Sequence, residues 1–194
     1  SLGRIAIVLL LGAPFGCPLL LADDVEENKT TELLASTLRD SLVTIRVGDR
    51  NGGETGMGTG FVIDESGLIV TNMHVIREGR SFSVDLWPNK QLEVLAVEAT
   101  SRADDLALIR VAPGSHKLKA IPLAESKIVE QGAEVVAFGN PHGLRHSVVQ
   151  GVVSAIREIE AREMIQVAMP IEPGNSGGPL VDRQGQVRGI INMK

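Results

Sequence analysis

Short strand-like segments at regular spacing, punctuated by glycine turns, predict an all-β fold made of two antiparallel β-barrels. Three observations carry that expectation. Alternating, β-branched runs such as Leu42-Val43-Thr44-Ile45-Arg46-Val47 and Leu106-Ala107-Leu108-Ile109-Arg110-Val111 recur along the chain. Its 21 glycines and 43% apolar residues suit a core of strands and tight turns, and only 3% of residues are aromatic. The 194 residues are enough for one domain or a compact two-lobed one.

Taken in order, the chain begins with Arg4 and an apolar stretch over 5–22, which reads as a secretory signal peptide followed by Asp23-Asp24. Gly12, Pro14, Gly16 and Pro18 interrupt the run. They fit a cleaved signal better than an uncleaved membrane anchor, which needs about 20 consecutive apolar residues. Export of this kind implies a periplasmic or secreted protein. Residues 23–41 form a polar lead-in and a short helix over 32–40, with Leu33, Leu34 and Leu38 at helical spacing and Thr30 or Thr31 as its cap. The main domain then runs over 42–194, its first barrel over about 42–111 and its second over about 128–194.

Strands are expected at 42–47, 59–64, 68–71, 82–87, 91–98 and 105–111. Glycines and charges over 48–58 predict an exposed loop, a single helical turn follows residue 71, and Pro88-Asn89 signals a hairpin. Beyond a polar connector at 112–119, strands are expected at 134–138, 147–156, 164–169, 180–182 and 187–192, with Gln184-Gly185 as the last turn. Five strands leave the second sheet with an open edge, so the second barrel looks truncated and the chain reads as a fragment of a longer one.

Composition narrows the function classes. The net charge of −5 and the absence of a basic cluster argue against nucleic acid as a partner. Cys17, the one cysteine, lies in the leader, so the folded part must rely on its core without an internal disulfide. No metal-ligand cluster is evident, and no cofactor is called for.

Chemistry concentrates at residues 174–179, Gly-Asn-Ser-Gly-Gly-Pro. A serine hydroxyl is a poor nucleophile at neutral pH; it needs a base to take its proton and donors to hold the charge its attack creates. Gly174, Gly177 and Gly178 permit a tight turn around Ser176 in which the amides of Gly174 and Ser176 point at one oxyanion. Upstream, His74 follows the apolar run Leu68-Ile69-Val70 within Thr71-Asn72-Met73-His74, and Asp105 opens an alternating strand. His74 suits a base because imidazole titrates near neutrality. His116, His142 and His146 read as structural or surface residues. Asp104 is the neighbouring alternative to Asp105, which directly precedes Leu-Ala-Leu-Ile.

The order His, Asp, Ser is that of the chymotrypsin-type proteases. Together with Gly58-Thr59-Gly60-Phe61-Val62-Ile63, Val135-Val136-Ala137-Phe138-Gly139-Asn140-Pro141 and Gly151-Val152-Val153-Ser154-Ala155-Ile156, these motifs make the chain resemble the HtrA/DegP group of trypsin-like serine proteases. The resemblance covers roughly residue 33 to the end. It implies two six-stranded barrels with the active site in the cleft between them. It also implies a serine endopeptidase in which Ser176 attacks, His74 moves the proton and Asp105 orients His74. Unfolded or damaged proteins would be its substrates in envelope quality control; a homotrimer and a PDZ domain beyond Lys194 are further family features.

Trypsin-like preference for Lys or Arg needs an acidic residue six positions before the serine; here that residue is Pro170. An apolar pocket of Met169, Pro170, Ile171 and Ile190 is expected instead, accepting small or medium aliphatic side chains. The chain departs from the family pattern at Ala168-Met169-Pro170 and at Glu172. The alternative function is a non-proteolytic chaperone or scaffold with a silent triad.

Overall fold

The computed structural model describes residues 28–49, 53–77, 79–86, 90–125, 129–139, 147–159 and 162–192. The leader with Cys17, the Pro88-Asn89 turn, and His142 and His146 lie outside the described residues.

Strands β1 (Leu42–Gly48), β2 (Glu54–Asp64), β3 (Leu68–Asn72), β4 (Ser81–Leu86), β5 (Lys90–Ser101) and β6 (Leu106–Ala112) close into a barrel in the order β1-β2-β3-β6-β5-β4. Every neighbouring pair is antiparallel. In β6, Ala107, Ile109 and Val111 are buried while the residues between them are only partly so, the period-2 pattern of a strand with one face on a core. Ile109 and Val111 meet Val43, Ile45, Val62, Ile69 and Val84 inside the barrel. Strand β5 carries bulges between Val94 and Ala96 and between Val97 and Ala99. Each adds a residue on one side of the ladder, which bends the sheet toward closure.

The stretch expected as an exposed loop over 48–58 is shorter than that. Residues 54–58 belong to β2, with Gly58 opposite Ile45, Met57 opposite Arg46 and Gly56 opposite Val47. Glycine content argues for a loop locally, but β1 is paired on both flanks, and Arg46 reaches Glu54 on one side and Asp85 on the other at 2.8 and 2.7 Å. Tertiary pairing overrides the local preference.

The second lobe holds β7 (Glu134–Gly139), β8 (Ser147–Ile159), β9 (Arg162–Ala168), β10 (Pro179–Val181) and β11 (Val187–Ile190). They form one curled sheet in the order β11-β10-β7-β8-β9. Among the described residues, five strands and an unclosed sheet match the count read from the sequence. Val135, Ala137, Val153, Leu180 and Ile191 make its core.

Helix α1 (Thr31–Leu38) joins the lobes. Thr30 caps it, its hydroxyl accepting from the Leu33 amide at 3.2 Å. Leu34 and Leu38, one turn apart on one face, are buried among Leu42, Phe61 and Val70 of the first barrel and Val136, Phe138 and Val181 of the second lobe. Full burial of each leucine contributes roughly 1.5–3 kcal/mol, so the helix is a wedge that both halves share. The strap ahead of it is tied to the β10–β11 turn: the Lys29 amide donates to the Arg183 carbonyl and the Arg183 guanidinium to the Thr31 hydroxyl.

Candidate active site

Strand β3 ends at Asn72 and runs directly into one turn of helix, α2 (Met73–Arg77), which carries His74. Asp105 precedes β6, and β3 and β6 pair with Asn72 opposite Leu106, so the ladder itself delivers the imidazole and the carboxylate to the same end of the barrel. His74 Nδ1 lies 2.6 Å from Asp105 Oδ2, and the His74 amide donates to Oδ1 at 3.0 Å. A carboxylate only accepts, so the proton of this contact sits on Nδ1 and leaves the Nε2 lone pair free to act as a base.

Asp105 is 4% exposed and is the one described non-glycine residue with a positive φ, +55°. That left-handed backbone costs roughly 1–2 kcal/mol for an ordinary side chain and is tolerated best by Asp and Asn. Hydrogen bonds to its carbonyl hold it there, from the Met73 amide at 2.8 Å and from Asn72 Nδ2 at 3.1 Å. Asn192 Nδ2 donates to Asp105 Oδ2 at 3.2 Å from the second lobe.

The turn bearing Ser176 belongs to the second lobe but is anchored to the first. Thr59 of β2 donates from its amide to the Ser176 carbonyl at 2.9 Å and from its hydroxyl to the Gly174 carbonyl at 2.7 Å. Gly177 sits at φ +85°, and a Cβ there would run into the Thr59 carbonyl and the Thr71 hydroxyl. Only glycine fits both the conformation and the space. The Gly177 amide donates to the Ile191 carbonyl and the Ile191 amide to the Gly178 carbonyl, both at 2.9 Å.

The amides that flank these anchors behave differently. Asn175 and Gly178 donate within the turn, to Glu172 and Asn175 carbonyls. The amides of Gly174 and Ser176 have no acceptor among the described residues. A turn that satisfies its neighbours and leaves these two donors open can receive a negative oxygen without reorganising. The Ser176 residue is 8% exposed, and its hydroxyl makes no hydrogen bond to His74 among the described residues.

Of the residues expected to line the substrate pocket, the structure brings together Met169 and Ile171, which pack on the second-lobe core. Pro170 is exposed beside them. Ile190 is not with them. It packs in the cluster between the lobes, against the group that contains Phe61, Val70 and Val187, while Ile191 stands with Met169 and Ile171. Consecutive residues of an extended chain face opposite sides, so a shift of one position exchanges the two environments. Ile191, 4% exposed, takes the place assigned to Ile190. Asn192 carries no motif of its own, and Thr59 lies in a motif that gives no hint of its partners; only the fold reveals what they touch.

A family model described as a trypsin-like peptidase domain matches residues 58–190, a range that includes His74, Asp105 and Ser176. The chain belongs to this family. This trypsin-like domain is 39% identical over 143 residues to "Protease Do-like 1, chloroplastic" of Arabidopsis thaliana, covering 70% of the chain and 32% of that protein. It is 38% identical over 147 residues to the "Probable periplasmic serine endoprotease DegP-like" of Pseudomonas fluorescens, covering 74% of the chain and 30% of that protein. Its homologues are therefore of the HtrA/DegP kind, and it spans about a third of their length. Among solved structures, the serine endoprotease from Yersinia pestis matches with a TM-score of 0.72 and 27% identity, over 84% of this chain and 57% of that one.

Proposed function

We propose that this chain is the catalytic domain of a serine endopeptidase. Ser176 attacks the scissile carbonyl, and His74 takes the hydroxyl proton and returns it to the leaving amine. Asp105 holds the Nδ1–H tautomer and stabilises the imidazolium that forms. The acyl-enzyme is then released by water, with His74 again as base. The observation that carries the reading is the 2.6 Å contact of His74 Nδ1 with a buried Asp105. The open amides of Gly174 and Ser176 support it as the oxyanion donors. Met169 and Ile171, packed on the cluster that holds Ile191, make the substrate pocket apolar in this reading, which favours small or medium aliphatic side chains. Peptides with Val, Ala or Ile at the cleavage site should be cut faster than those with Lys or Arg; the opposite ranking would contradict this pocket.

Resemblance to periplasmic DegP-like proteins supports the wider reading of export to the envelope and action on unfolded or damaged proteins. A homotrimer and a PDZ domain in the longer protein belong to that reading. One observation favours a second function, a scaffold whose triad is silent: the Ser176 hydroxyl is not bonded to His74. Catalytic hydrogen bonds in a substrate-free site are often long and tighten only on binding, which keeps the protease reading ahead. A fluorophosphonate probe separates the two. Labelling that is abolished by Ser176→Ala supports the protease; no labelling of the full-length assembled protein supports the scaffold.

A further inference from the structure

We propose that Glu172 is a specificity-determining residue: its carboxylate selects peptides that carry a lysine or arginine close to, but not at, an aliphatic cleavage position. The proposal rests on the protease reading above and names the substrate class of that same site. Glu172 stands two positions before Gly174 and four before Ser176. Two residues of chain span at most about 7 Å, so its backbone lies beside the open amides. It is also held there, because the Asn175 amide donates to the Glu172 carbonyl at 3.1 Å and so closes the turn between them. The neighbouring Ile171 packs on the second-lobe core, whereas Glu172 is exposed. An apolar residue of the pocket and a charge in solvent are therefore consecutive in the chain.

The charge is not diluted by its own segment. Residues 163–182 hold three acids, Glu163, Glu172 and Asp182, and no lysine or arginine. Glu163 lies opposite Glu158 on the β8–β9 ladder, and the buried Asp182 meets Arg188 at 2.6 Å. Glu172 is thus the acidic group of this segment that stands exposed next to the serine turn. Six positions before the serine the chain has Pro170, which brings no acid to the pocket. A cationic side chain therefore gains nothing inside the pocket and gains at its rim. Attack by Ser176 places a negative oxygen near the open amides, and a carboxylate close by opposes that charge. A substrate cation beside Glu172 screens the repulsion and adds an attraction, so the preference appears in the transition state as well as in binding.

The test uses the full-length protein and peptides with valine at the cleavage position. Lysine, glutamine or glutamate is placed at each flanking position in turn. At the position that meets Glu172, kcat/KM should rank lysine above glutamine above glutamate, by about two- to fivefold per step, the range for an exposed ion pair. Glu172→Gln keeps the shape, should level the ranking and should cut the neutral peptide faster than wild type does. Glu172→Lys should reverse the order. Salt at about 1 M, where the Debye length falls to about 3 Å, should shrink the wild-type preference. The inference is overturned if lysine gives no advantage at any flanking position, or if Glu172→Gln keeps the wild-type ranking. Ser176→Ala, run alongside, isolates the premise: retained cleavage there overturns the proposed function itself, whereas a dead serine variant with an unchanged ranking in Glu172→Gln overturns only this inference.

Discussion

The six strands of the first barrel return on themselves, β4 closing onto β1, whereas among the described residues β9 pairs on one flank and β11 meets a single bridge to Leu123 beyond β10. The histidine and aspartate stand on the closed frame; the serine stands on the open one. Yet the serine turn is held by Thr59 of the closed barrel, through its carbonyls on both sides of Asn175. The comparison teaches that the position of Ser176 is set as much by the lobe it faces as by the sheet it grows from. An open sheet can carry a well-placed serine because the rigid partner supplies the reference points.

The sharpest attempt to break this comparison removes one chemical group from each lobe. Ser176→Ala and His74→Ala should each lower kcat on the order of a million-fold, and the double variant should be no worse, because the groups act as a unit. Additive losses measured in the same peptide assay would mean that the lobes work independently.

Thr59→Val tests the anchoring. The substitution keeps the shape and removes the hydroxyl that satisfies the Gly174 carbonyl. A buried acceptor left unpaired costs about 1–3 kcal/mol. Urea unfolding should show that loss, and labelling of Ser176 by a fluorophosphonate should slow; an unchanged labelling rate would place control of the turn within the second lobe alone.

A matched pair of cavities measures closure directly. Val111 in the barrel and Val153 in the open sheet are 0% and 1% exposed. Val111→Ala should destabilise by about 2 kcal/mol, two methyl groups' worth of burial plus a cavity that a closed barrel cannot collapse. Val153→Ala should cost less, since the open sheet can relax into the space. Equal losses in urea melts would show that the curled sheet is as stiff as the barrel.

The smallest effect belongs to the surface of the first barrel. The Arg110 guanidinium, 2.6 Å from Glu98, holds that carboxyl below its ordinary value of 4.5, and the Ser66 hydroxyl and amide, helped by Arg110, lower Asp64 in the same way. A carboxyl depressed on folding stabilises the protein above its unfolded value, and that stability is lost as pH falls through the folded value. Glu98→Gln should therefore lower the Tm slightly at pH 7 and make it less sensitive to acid below about 4.5. Both carboxylates lie at the surface, so salt should weaken the effect.

How much of this was legible depends on what kind of signal each residue leaves. Ser176, His74 and Asp105 lie in motifs whose order and spacing are visible along the chain, and β6 announces itself by alternation. Residues 54–58 were hidden, because glycine speaks for a loop and only the pairing with β1 makes them strand. The choice between Ile190 and Ile191 was undecidable from pattern. Both are isoleucine, and the register shift between Leu180 and Val181 on the partner strand breaks the simple count of faces. Asn192 left no trace at all, since a lone asparagine after a strand ordinarily marks a turn, and its partner lies 87 positions away.

The backbone of Asp105 limits what could ever replace it. Glycine would accept the left-handed φ and bring no charge to the imidazole. Glutamate would keep the charge but set a longer stem on a conformation it dislikes and push its oxygens past His74. Asparagine would suit the main chain yet present a donor where an acceptor is required. Aspartate alone meets the demands of backbone, reach and charge together, so this position has no conservative substitute.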